Sequence, residues 1–185
     1  LMRLNAAQRD LGGALLRLGD RENGIASLSR SKSVYEASLP PGGNWRASLT
    51  SFESLSGLGS ALTRLGEREN SVELLSAAVI AFDDALAQPI PRKDKRRRAL
   101  ILAGQAGALW RLGQLEDGNR SLTRAVATAE AALLGLPRRG NRLEWSRLQV
   151  ALGDALRVIG ERERDVKVLG RAVSAYEVAL SDGLT

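Results

Sequence analysis

Side-chain chemistry in this sequence is carried almost wholly by arginine and carboxylates. The 185 residues contain no cysteine and no histidine. Thiol nucleophiles, Ser-His-Asp and Cys-His catalysis, Cys- or His-based zinc sites and disulfide stapling are therefore excluded. The remaining candidates for acid-base work are carboxylates such as Asp83, Asp84 and Asp182, and the recurring Glu22, Glu69, Glu116 and Glu163. A general acid needs a differentiated partner and environment, and no recurring neighbour supplies one. The chain reads as non-enzymatic, with no catalytic, metal or cofactor residues. What arginine does well is forked recognition of carboxylates and phosphates. Of the 27 basic residues 23 are Arg, against 21 acidic ones, for a formal charge of +6. That excess admits acidic partners without requiring them.

The elements that position these residues follow from an internal repeat. ALLRLGDRENG from Ala14, ALTRLGERENS from Ala61, ALWRLGQLEDG from Ala108 and ALRVIGERERD from Ala155 align without gaps at a period of 47. Four approximate units follow, 1–43, 44–90, 91–137 and 138–185, forming one repeat domain. Leu55, Leu58, Leu62 and Leu65 step at helical spacing through the first half of unit two. Val72, Leu75, Val79, Phe82 and Leu86 do so through the second, and Val166, Leu169, Val173, Tyr176 and Leu180 repeat this in unit four. Each set predicts one buried stripe. Gly19, Gly66, Gly113 and Gly160 follow the last apolar position of each first helix, so they are expected to end it in a left-handed cap. The four Glu residues would then open the second helices, where negative charge favours the dipole. Pro- and Gly-containing linkers separate the pairs, with Asn44 and Asn141 as candidate N-caps and Trp45 and Trp145 as packing residues at a helix start. Small residues at Gly12, Gly59, Ala106 and Gly153, and at Ala14, Ala61, Ala108 and Ala155, predict close helix contact.

These residues resemble tetratricopeptide-type helix pairs. The resemblance rests on Leu58-Gly59 and Leu62 with Ala78, Phe82 and Ala85, and on Leu152-Gly153 and Leu156 with Ala172, Tyr176 and Ala179. The period exceeds the usual 34 residues, and unit three departs with Ala129 where the others carry an aromatic ring. The wording LGERE and LEWSRLQVALGDAL also resembles bacterial multi-repeat proteins in which such arrays are the sensor or scaffold part of a longer chain. The resemblance implies an all-α right-handed α-α superhelix of about four antiparallel pairs, part of a longer array, with apolar area at its ends for further repeats. It also implies a concave groove lined by first helices. Arg9, Arg17, Arg64, Trp110, Arg111 and Arg157 occupy matching positions, suited to an acidic protein or peptide or to another domain of the same polypeptide. A second candidate surface is a basic ridge of Arg92, Lys93, Lys95, Arg96, Arg97 and Arg98 with Arg138, Arg139 and Arg142. Nucleic acid is the less favoured partner, because no stacking aromatics are interleaved. No stretch reaches the length of a membrane span, and a cytoplasmic location is expected.

Overall fold

The computed structural model describes residues 2–40, 51–89 and 94–183, and every regular element in them is helical. The helices are α1 (Met2–Glu22), α2 (Ile25–Ala37), α3 (Ser51–Glu69), α4 (Val72–Ala87), α5 (Lys95–Leu115), α6 (Arg120–Gly135), α7 (Arg142–Glu163) and α8 (Val166–Gly183). They form four antiparallel pairs, one per 47-residue unit. The chain divides into two compact units, Leu1–Ile90 and Pro91–Thr185, and the division falls at the expected boundary between the second and third repeats. Within the first, α2 packs on α1 and on α3, α3 packs on α4, and α1 also touches α3. Within the second, α5 to α8 repeat this pattern. Each unit thus holds two successive pairs stacked as in an α-α superhelix.

The recurring glycines do not end their helices. Gly19, Gly66, Gly113 and Gly160 all lie inside α1, α3, α5 and α7. A Cβ on them would stand 2.6–2.8 Å from the side chains of Leu28, Leu75, Leu122 and Leu169. They are there because the leucine of the partner helix lies directly on the backbone, a close-approach requirement rather than a conformational one. The left-handed residues come four positions later, at Asn23, Asn70 and Arg164, with φ of 55°, 48° and 55°. The backbone N–H groups of Gly24, Ser71 and Asp165 donate to the carbonyls of Gly19, Gly66 and Gly160 at 3.1, 3.0 and 2.9 Å. This is the six-to-one bond of a Schellman ending, with the glycine at the third position from the C-terminus.

The longer helices also relocate the glutamates. Glu22, Glu69 and Glu163 are the last residues of first helices and Glu116 follows α5 directly, so none of the four opens a second helix. Two find donors: the Ser27 hydroxyl donates to Glu22 at 3.3 Å, and the Asn119 amide donates to Glu163 at 2.8 Å. Ser71 is the residue that caps α4, accepting from the Leu74 N–H at 3.2 Å.

A large ring fills the space between helices in three pairs. Tyr35, Phe82 and Tyr176 lie over Gly12, Gly59 and Gly153, whose added Cβ atoms would stand 2.8–2.9 Å from ring carbons. In unit three the corresponding pair is Ala106 and Ala129, both buried. Glycine with a ring and alanine with alanine are two fillings of one space. The predicted stripe of α4 is buried at Leu75, Val79 and Phe82, but Val72 is exposed. In α8 the expected stripe is not the buried one. Val166, Val173 and Leu180 are exposed, and Ala172, Ala175 and Ala179 form the buried face. The physical reason is one-sided packing: among the described residues of its unit, α8 has only α7 as a principal neighbour.

Candidate functional site

The expected groove arginines divide between the units. In the first, Arg9 reaches from α1 to Glu53 of α3 at 3.1 Å. Arg64 reaches back from α3 to Asp20 of α1 at 3.3 Å and pairs with Glu67 at 3.1 Å. Both cross-helix pairs are 44 residues apart, the repeat less one helical step, so opposite charges at that offset were the sequence signal for them. Arg17 is exposed on α1 and makes no ion pair among the described residues. Its positive charge opposes the burial that raises the Tyr35 hydroxyl above the ordinary tyrosine pKa.

In the second unit, the Arg111 guanidinium lies 4.2 Å over the Trp110 ring and donates to Gln114 at 3.2 Å. The Trp110 indole N–H is enclosed without an acceptor. Arg157 donates to Glu161 at 2.6 Å. That bond first, and Tyr176 second, hold the guanidinium pKa above its ordinary value. Tyr176 in turn donates to Asp154 at 2.7 Å; burial first and this bond second raise its pKa. Arg9, Arg64 and Arg157 therefore already engage carboxylates of their own chain, and Arg111 is stacked on an aromatic face.

The basic ridge is assembled differently. Arg92 and Lys93 lie outside the described residues, as do Asn44 and Trp45. Asp94 caps α5, accepting from the Arg97 N–H at 3.2 Å and pairing with its guanidinium at 3.1 Å. Arg96 donates across 45 residues to the Asn141 side-chain oxygen at 2.7 Å. The Asn141 amide donates to the Pro137 carbonyl at 3.0 Å. Asn141 stands at the N-cap position of α7, but its side chain makes no capping bond; it is a buried strut between the loop and α5. Arg138 lies 5.0 Å over the Trp145 ring, which places Trp145 as a packing residue near the start of α7. The first turn of α5 and the loop entering α7 are thus held together. Exposed Lys95, Arg96, Arg97 and Arg98 gather beside exposed Arg138, Arg139 and Arg142. Sequence reasoning missed Asn141 as the joint, because a strut and a cap look alike before a helix.

Among the described residues there is no cluster of three or more potential metal ligands and no helix long and apolar enough to cross a membrane. No protein-family model matches this chain, and no curated protein matches it. Among solved structures the chain is similar to one described as "DHF58 filament", with a TM-score of 0.50 at 15% identity, over 97% of this chain and 92% of that one. The likeness is one of fold.

Proposed function

We propose that this chain is a non-enzymatic interaction scaffold that binds an acidic segment of a partner protein, and that the binding surface is the basic end of the second unit rather than the arginine-lined groove. One observation carries the reading: the Arg96–Asn141 hydrogen bond joins two runs of cations into one exposed surface. The first turn of α5 contains no acidic residue. Its cations add to the positive end of the helix dipole, and only the Asp94 cap opposes them. A carboxylate-rich segment would relieve that concentration of charge, with Arg offering forked donors. The groove is the weaker candidate because Arg9, Arg64 and Arg157 are paired internally. A phosphate polymer is the second reading, favoured by the same cations, although the nearby Trp145 ring is already occupied by Arg138.

The test is an anisotropy titration with a labelled oligoglutamate peptide and with single-stranded oligothymidylate of matched charge. Replacing Lys95, Arg98 and Arg139 together by Ala, which keeps the Arg96–Asn141 strut, should weaken the peptide about tenfold. Replacing Arg17, Arg64 and Arg111 should have little effect. Loss on the second replacement and not the first would return the site to the groove. Tighter binding of the oligonucleotide that persists near roughly 200 mM salt would favour the phosphate reading.

A further inference from the structure

The two outermost helices expose faces that are buried at every equivalent position inside the units. On α1, Leu11 and Leu18 are 48% and 43% exposed, while their counterparts on α7, Leu152 and Ile159, are 8% and 7%. Ala14 is exposed where Ala61 and Ala155 are buried. On α8, Val173 is 54% exposed while Val126 of α6, which packs against α7, is 8%. The open face of α1 is therefore the one by which α3 and α7 receive the preceding pair. The open face of α8 is the one by which α2 and α6 hold the following pair. A repeat protein with both faces open carries the two halves of its own internal interface.

We propose that copies of this chain associate head to tail, the α7–α8 face of one copy receiving α1 of the next in the register of the internal stacking. The internal contacts specify what would meet. Asp20–Arg64 becomes Glu161 of one copy against Arg17 of the next. Glu130–Arg171 becomes Glu177 against Arg30. The bond from Arg162 to the Gly118 carbonyl becomes Arg21 against Asp165. All three put an acidic residue on the α7–α8 side and an arginine on the α1–α2 side, so the charges are complementary. An apolar hollow of about 490 Å³ on the α7–α8 face is lined in part by Val150, Tyr176, Ala179 and Leu180. Their counterparts in the first repeat, Arg9, Tyr35 and Ser38, grip Glu53, Gly57 and Ser54 of α3. The incoming copy would present Ala6, Asp10 and Ala7 there, two of them small and apolar. Asp10 is the discordant position, because Gly57 is what admits the Tyr35 ring. The contact is heterologous, so each copy keeps one open face of each kind and growth continues beyond a dimer.

The experiment is sedimentation velocity of the full chain over a concentration series. The wild type should form species larger than dimers in a concentration-dependent way. Arg30→Glu alone and Glu177→Arg alone should each weaken association at least about tenfold. An equimolar mixture of the two variants should regain it, since every junction between unlike copies is again complementary. Asp10→Gly should tighten association about threefold or more, by readmitting the ring. A single species at all concentrations would overturn the proposal. So would reversal variants that associate like the wild type, a mixture that does not recover, or an Asp10→Gly variant no tighter than the parent.

Discussion

Asn23, Asn70 and Arg164 hold the same left-handed backbone position, and they do so at different cost. Asparagine tolerates that conformation through its short polar side chain, whereas a long side chain is strained there by about 1–2 kcal/mol. Arg164→Asn should therefore raise stability by about 0.5–1 kcal/mol, read from denaturant midpoints at constant m-value. Four residues earlier in the repeat the requirement is steric. Gly66 is helical, so Gly66→Ala would gain helix propensity if space were available. The Leu75 side chain at 2.7 Å from the added Cβ denies it, and overpacking of this kind costs about 1–3 kcal/mol. Equilibrium unfolding decides between the two: a more stable Gly66→Ala would mean the leucine moves freely. The glycines were visible in the sequence as a recurrence, but a glycine before a turn looks the same whether it bends the chain or admits a neighbour.

Helix pairs in this chain use two interchangeable fillings, and variants can convert one into the other. Phe82 is fully buried over Gly59, so Phe82→Ala should destabilise by about 3–5 kcal/mol through lost burial and the cavity left behind. Adding Gly59→Ala reproduces the alanine pair that unit three carries at Ala106 and Ala129. The double variant should recover about 1 kcal/mol relative to Phe82→Ala alone, from helix propensity and partial refilling. A double variant less stable than the single one would show that the alanine pair depends on other residues of unit three. The periodicity that makes Phe82 a core residue was legible from spacing. That Ala129 needs no compensating ring was not, because its partner is 23 residues away in sequence and becomes its neighbour only when α5 and α6 fold together.

Across the 185 residues the pH response follows from the two raised tyrosines. Tyr35 is raised above its ordinary value of 10.0 chiefly by burial, and Tyr176 by burial and its bond to Asp154. The neutral hydroxyl is the form favoured by folding, so its contribution is fully present below the unfolded-state value and is lost as pH rises through the folded one. Thermal or denaturant stability should fall above about pH 10. Tyr176→Phe should make that fall shallower while costing about 1 kcal/mol at neutral pH from the lost hydrogen bond. An alkaline decline of equal steepness in the variant would place the response elsewhere. Helical class, the 47-residue unit, the division near residue 90 and the exclusion of thiol and imidazole chemistry were set by residue types and spacing, which depend on local periodicity alone. Which arginines are engaged, which apolar stripe is covered and what Asn141 joins depended on contacts about 44 residues apart. Those distances are decided by how one pair lies on the next, so identical positions in the repeat become buried, paired or open according to whether a neighbouring pair is there to meet them.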